Sequence, residues 1–212
     1  MKELYIVGSG DIAKFIAYNF DLFGLENHYL KGFLDNDKSK IGTKFCGIDV
    51  YDIDLFLERD TLDFDIVIGI ANPRIKQKVY NEFKNKGVGF PNFISKGTWI
   101  SNNVNLGKGL IIYPNVSIEH ECEIKDFLII NCNSSIGHNT IIEDFSTIAP
   151  GVHLAGFTYI SSGVDFGIGA CTRQKVRIGK NSVVGGNAML IKDIEDNVVV
   201  AGVPAKVIKY KE

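Results

Sequence analysis

Two stretches of the sequence carry residue types suited to chemistry. Near the start, Gly8-Ser9-Gly10-Asp11 separates an apolar run, Lys2 to Val7, from an apolar-rich segment, Ile12 to Phe23. A strand, a glycine turn and a helix N-terminus in that order make a cradle for an anionic group, because the first helical N–H groups lack partners and the helix dipole favours negative charge. Gly8, Gly10 and Ala13 fit the GxGxxA form of the dinucleotide fingerprint, and Asp35, 25 residues beyond Gly10, lies near where a ribose-binding acid would sit. In the second half, His120 and His138 stand 18 residues apart. A neutral imidazole, with an ordinary pKa of about 6.5, can take a proton from an attacking amine or hydroxyl near neutral pH.

The elements that position these groups follow from the repeat. From Ile94 onward an aliphatic residue recurs every six positions: Ile94, Ile100, Leu106, Ile112 and so on to Leu190. Among seventeen positions only Phe166 and Thr172 depart from Ile, Leu or Val. Four residues after each comes a second, usually small or apolar residue, such as Val116, Cys122, Ser134, Val152 or Ala170. A period of six fits no helix, and β-branched residues dominate. Short strands joined by tight corners fit it, with three strands closing one coil of 18 residues and each coil burying its inward residues on the next. Gly107, Gly137, Gly167, Gly179 and Gly185 follow the aliphatic position, where a corner is expected to need unusual backbone angles.

The first ninety residues read as alternating strands and helices. Strands are expected at Lys2–Val7, His28–Leu34 and Phe64–Ile70, and helices at Ile12–Phe23 and Arg74–Lys86, giving a small parallel sheet flanked by helices. Three or four strands fit there, half of a full dinucleotide fold, so one nucleotide or sugar-nucleotide is expected in the cradle in preference to NAD. The chain is therefore divided into a Rossmann-like domain, 1–90, and a parallel β-helix with a C-terminal tail, 91–212.

Bulk properties exclude several classes. The net charge is −2 and the basic residues are scattered, which argues against nucleic acid. No apolar stretch approaches the ~20 residues of a membrane span. The first strand-like run leads directly into the glycine turn, so no leader is read and a cytoplasmic protein is expected. The four cysteines show no CxxC pair or metal spacing and are expected to be free thiols.

The joined pattern resembles the hexapeptide-repeat sugar acyltransferases of the NeuD/PglD-like group, which contains sialic acid O-acetyltransferases and UDP-amino-sugar N-acetyltransferases. The segments that carry the resemblance are IVGSGDIAK, GFLDND, IGIANPRIKQKVY, the seventeen hexads and the closing VVVAGVPAKVIK. It implies a left-handed β-helix, a homotrimer and acetyl-CoA bound in the cleft between neighbouring helices. It also implies direct transfer of the acetyl group, without a metal, to an amino group of a UDP- or dTDP-linked amino-deoxy sugar for bacterial surface glycans. Residue by residue, it places Gly10, Asp11, Ile12, Asp35, Asn36, Ala71 and Asn131 on the substrate. It puts His138 in IINCNSSIGHNTIIEDFSTIAPG as the general base, and Thr147, Gly156, Ile168 and Gly186 on acetyl-CoA.

Three positions depart from the family pattern. Ile12 replaces a loop histidine, Asn139 replaces the acid after the catalytic histidine, and Thr147 replaces a second histidine. Glu119, Glu121, Glu143 and Asp144 are the candidates to replace the acid from another coil or subunit. A hydroxyl is harder to activate than a free amine, so the missing acid favours an amino acceptor. Three rival readings stand beside this one: a sialic-acid-type O-acetyltransferase, a non-catalytic trimeric scaffold, and a metal protein like the γ-type carbonic anhydrases. The last needs two histidines about five residues apart, where this chain has Glu143 after His138 and Lys125 after His120.

Overall fold

A computed structural model describes residues 1–211. The chain divides into two compact units, Met1–Phe93 and Ile94–Glu212.

The first unit is built on a five-stranded sheet. Its strands are β1 (Lys2–Val7), β2 (His28–Asp35), β3 (Lys44–Phe45), β4 (Ile48–Asp52) and β5 (Asp65–Ile68), in the spatial order β3-β4-β2-β1-β5. All neighbours are parallel except the β3–β4 hairpin. β1 and β5 are buried on both faces, which explains their near-continuous apolar runs. One carboxylate joins the amino ends of β1, β2 and β5. Asp65 accepts from Lys2 Nζ at 2.6 Å and from the Gly89 N–H at 3.0 Å, and it meets His28 Nε2 at 2.7 Å.

The helices are α1 (Asp11–Tyr18), α2 (Ile53–Leu57) and α3 (Pro73–Phe83). α1 is shorter than its apolar run suggests. Asn19 turns its amide back to the Phe15 carbonyl at 2.9 Å and leaves helical angles. The rest of the run, Phe20–Phe23, forms a 3₁₀ turn that ends at Gly24 in the left-handed region. α3 starts at Pro73, whose missing N–H costs nothing there, and the Asn72 side chain caps the N–H groups of Arg74 and Ile75. The β3–β4 hairpin and α2 lie outside the expected elements. Cys46 and Gly47 make the hairpin's two-residue turn, both with positive φ.

The second unit stacks two-residue strands into three parallel sheets. Each of the seventeen repeat positions is the second residue of its strand, from Phe93–Ile94 to Met189–Leu190. Adjacent rungs pair residues 18 apart, as Ser117 with Ser135 and Ser135 with His153. From Ile112 to Leu190 every repeat residue is buried, together with the small partners Val116, Cys122, Ser134, Val152, Val164, Ala170, Ser182 and Ala188. Val198–Ala201 adds one more parallel strand, and Lys206–Tyr210 folds back antiparallel along it.

The corners differ from expectation. Positive φ falls three residues after the aliphatic position, at Asn115, Glu121, Phe127, Asn133, Asn139, Phe145, Gly151 and their successors. Gly137 and the other glycines next to the aliphatic residue have no positive φ. They are small because the next coil passes close by: a Cβ on Gly137 would lie 2.7 Å from the Leu154 carbonyl oxygen and from the Gly156 nitrogen.

Candidate active site

In the first unit, β1, β2 and β5 end around an open cleft of about 430 Å³, at the carboxyl ends of parallel strands where α/β sheets take ligands. Gly10, Asp11, Ile12, Asp35 and Ala71 line it, with Ser9, Lys40 and Ile75. Asn36 lies in an adjoining pocket of about 160 Å³ that shares Gly8, Asp35, Ile70 and Ile75 with the first. Gly8 has a φ of 93°, and a Cβ there would sit 2.9 Å from Ile70. A Cβ on Gly10 would meet nothing within 4 Å, so the loop leaves its backbone open to a ligand.

Asp35 is held in place by its own chain. Its Oδ2 accepts from the Ser9 hydroxyl, its Oδ1 accepts from the Asp37 N–H at 3.0 Å, and Lys40 Nζ lies 3.9 Å away. Lys40 also donates to Ser9 Oγ at 3.1 Å. A carboxylate has about four lone-pair sites, so acceptor capacity remains for the hydroxyls or ring N–H of a bound nucleotide. The Ser39 hydroxyl and N–H hold the neighbouring Asp37 carboxyl below its ordinary range. Lys40 also lines the cleft, although no motif in the sequence singled it out. Its signal was a lysine five residues after the acid that ends β2.

In the second unit, His138 stands on an outer corner of the solenoid. Its ring lies parallel to that of His120 at 5.2 Å and meets Phe157 edge-on at 5.1 Å. Its Nδ1 is 2.9 Å from Asn139 Oδ1, and its backbone N–H donates to Glu119 Oε2 at 2.9 Å. Asn139 Nδ2 in turn donates to Glu121 Oε2 at 2.6 Å. Two of the four acids considered as replacements are thus at the histidine's corner. The other two are engaged elsewhere: Glu143 accepts from the Tyr159 hydroxyl at 3.3 Å, and Asp144 accepts from the Asp126 N–H at 2.9 Å.

Gly156 packs against the His138 ring, and a Cβ there would lie 2.7 Å from both Cε1 and Nε2. Next to this corner, Cys122 is buried and its thiol donates to the Gly137 carbonyl at 3.2 Å. Burial pushes that thiol above its ordinary pKa, which disfavours the thiolate a nucleophile would need.

The other solenoid candidates occupy a different corner and face. Asn131 donates its amide to the Ile148 carbonyl at 2.9 Å. Ile168 is 64% exposed, and its carbonyl accepts from the Asn187 N–H one coil on, beside Gly186. Thr147 is buried in the strand Thr147–Ile148. The strand Ser135–Ile136 and its stacked neighbours separate this group from His138 and Gly156. Among the described residues no group of three or more His, Cys, Asp or Glu is placed to hold a metal ion.

Residues 3–83 match the PglD N-terminal domain. The acetyltransferase domain of PglB from Neisseria gonorrhoeae superposes with a TM-score of 0.88 at 28% identity, covering 98% of this chain and 100% of that one, and it has also been solved with acetyl coenzyme A. PerB from Caulobacter crescentus, in complex with CoA and GDP-perosamine, superposes with a TM-score of 0.88 at 25% identity over 99% of this chain and 98% of that one. A galactoside O-acetyltransferase of Lactococcus lactis is 49% identical over 49 residues, which is 23% of this chain and only 24% of that relative's length. From its first unit to the closing strands of its solenoid, the chain is similar to the PglD-like hexapeptide-repeat sugar acetyltransferases.

Proposed function

We propose that the protein transfers the acetyl group of acetyl-CoA to the amino group of a nucleotide-linked amino-deoxy sugar, with His138 as general base. The observation that carries this reading is the pairing, in one chain, of a cleft built around Asp35 at parallel strand ends with a solenoid corner that presents an imidazole. The cleft would hold the nucleotide through Asp35, Asn36 and the loop Gly10-Asp11-Ile12, with Ala71 beside it. The solenoid would deliver the acetyl group.

The chemistry needs little from the protein beyond position and one base. The substrate amine attacks the thioester carbonyl, forming the C–N bond while the His138 imidazole takes a proton from nitrogen. The C–S bond then breaks and CoA leaves as a thiolate, which takes the proton back from the imidazolium. Holding both reactants in register supplies much of the rate, since a second-order encounter becomes effectively unimolecular.

One chain places Asn131, Ile168 and Gly186 on a different corner from His138. A homotrimer that sets one copy's His138 corner against the next copy's Ile168 corner would complete the site. Exposed Ile168 beside side-chain-free Gly186 suits the slim apolar arm of CoA. The cytoplasm is the proposed compartment; among the described residues no helix is long and apolar enough to cross a membrane.

The test is CoA thiol release by the full chain with acetyl-CoA and a panel of UDP-, dTDP- and GDP-linked amino sugars. GDP-sugars belong in it because PerB was solved with one. The panel also includes free and nucleotide-linked hydroxyl sugars, since the local identity to a galactoside O-acetyltransferase favours oxygen as a second acceptor. Acetylation at nitrogen is the expected product by mass and NMR. Release of CoA with no sugar on the panel, or with hydroxyl acceptors alone, would overturn the reading.

A further inference from the structure

We infer that Asn139 and Glu121 act together as positioning residues for His138, a relay across two coils that fixes which imidazole nitrogen carries the hydrogen. The inference deepens the proposed role of His138 and rests on it.

Glu121 and Asn139 occupy the same corner position on successive coils, 18 residues apart, both with positive φ. An ionised carboxylate only accepts, so the amide face that meets Glu121 at 2.6 Å is the NH₂. The amide oxygen is then the atom facing His138 Nδ1 at 2.9 Å. An amide oxygen also only accepts, so Nδ1 must carry the hydrogen. In the neutral ring Nε2 is left with its lone pair, beside Gly156, which has no side chain to cover it.

Without Glu121 the Asn139 amide would have no reason to prefer one orientation. Flipped, it would present NH₂ to Nδ1, select the other tautomer and put the hydrogen on the nitrogen that must accept the substrate proton. Glu119 reinforces the geometry by holding the His138 backbone N–H at 2.9 Å, and the Asn139 N–H donates to the His120 carbonyl at 3.0 Å. The run Glu119-His120-Glu121 thus cradles His138-Asn139 from the coil beneath.

Most residues at this corner position are Asn or Gly, which tolerate positive φ; Glu121 holds it at 57°, as Phe127, Phe145, Phe157 and Lys175 also do. Glycine therefore fits the corner at either Asn139 or Glu121 without backbone strain.

Asn139→Gly tests this without straining the corner, because Gly151, Gly163 and Gly169 hold the equivalent position. Two readouts are taken. The ¹⁵N shifts of the His138 ring, assigned by difference from a His138→Gln sample, report the tautomer in the free protein. Steady-state kinetics report kcat and the KM for acetyl-CoA. The expected result is loss of the Nδ1–H tautomer and a fall in kcat of about tenfold or more, part of the ~10²–10⁴ that general base catalysis supplies, with KM for acetyl-CoA unchanged. Glu121→Gly should lower kcat in the same way while thermal stability holds or rises. In the double variant Asn139→Asp with Glu121→Gln, the Gln amide can donate to the Asp carboxylate, which accepts from Nδ1–H; tautomer and kcat should return toward the parent's.

An unchanged tautomer in Asn139→Gly overturns the relay whatever the kinetics, as does a double variant no better than Asn139→Gly. If no acetyl transfer is found with any sugar, the proposed function fails while the tautomer measurement still decides the relay.

Discussion

The imidazole of His120 lies parallel to that of His138, 5.2 Å away and one coil beneath, with 5° between the ring planes. The pair exists because one turn of the solenoid takes 18 residues and both histidines follow a buried isoleucine by two positions, Ile118 and Ile136. Stacked rings set their nitrogens side by side, so the two do not converge on one proton. They carry different expectations.

His138→Ala should lower kcat by about 10²–10⁴, the usual worth of a general base, while acetyl-CoA affinity and melting temperature stay near the parent's. His120→Ala removes only a stacking contact, worth about 0.5–1.5 kcal/mol, and should change kcat by less than about tenfold. Steady-state CoA release measures both. Equal losses in the two variants would mean that His120, too, handles a proton.

Gly156→Ala should act on the same ring from the other side. The added methyl would lie 2.7 Å from Cε1 and Nε2, closer than real Cβ contacts come, so the imidazole must turn or be covered. A fall in kcat of tenfold or more is expected, with stability changed far less. A variant with parent-like kcat would mean that Nε2 is not the working nitrogen.

The repeat made the solenoid legible, because a strict period of six with one large inward residue admits a single way to bury it. The register of every rung from Ile94 to Leu190 follows from it. The corner conformation was not legible, because its positive φ is taken by Asn, Glu, Phe, Lys and Gly alike, and the glycines beside the aliphatic positions are small for clearance between coils. The contact of Asn139 with Glu121 was half legible. The period places them on adjacent coils, but only side-chain rotamers decide that the amide bridges carboxylate and imidazole. In the first unit, β4 was missed because its turn, Cys46-Gly47, carries one glycine where two left-handed residues are needed.

Asp35→Ala should weaken nucleotide-sugar binding by about 10- to 100-fold, the worth of one hydrogen bond to a charged group at about 1.5–3 kcal/mol, and leave acetyl-CoA affinity unchanged. Ser9, Asp37 and Lys40 fix the carboxylate at the cleft, so little of the loss should come from disorder elsewhere. Calorimetric titration with the best sugar-nucleotide of the panel checks it. Undiminished affinity would move the nucleotide to another surface.

Asp65→Asn should destabilise the first unit in a pH-dependent way. Burial alone would raise the Asp65 carboxyl, but the Lys2 ammonium and the His28 ring outweigh it and hold the group below its ordinary range. A carboxyl depressed in the folded state contributes stability that is fully present above its unfolded pKa of about 3.9 and is lost as pH falls through the lower folded value. Asn keeps a side-chain oxygen for Lys2 and the Gly89 N–H but loses the charge, and its amide nitrogen cannot accept from His28. At pH 7 the variant should be less stable by about 2 kcal/mol, the scale of a hydrogen bond to a charged group. The gap should persist down to about pH 4 and narrow below it. Denaturant titrations of parent and variant at several pH values follow the difference. A gap that stayed constant below pH 4 would show that Asp65 acts through packing, and that the charge joining the amino ends of β1, β2 and β5 contributes nothing.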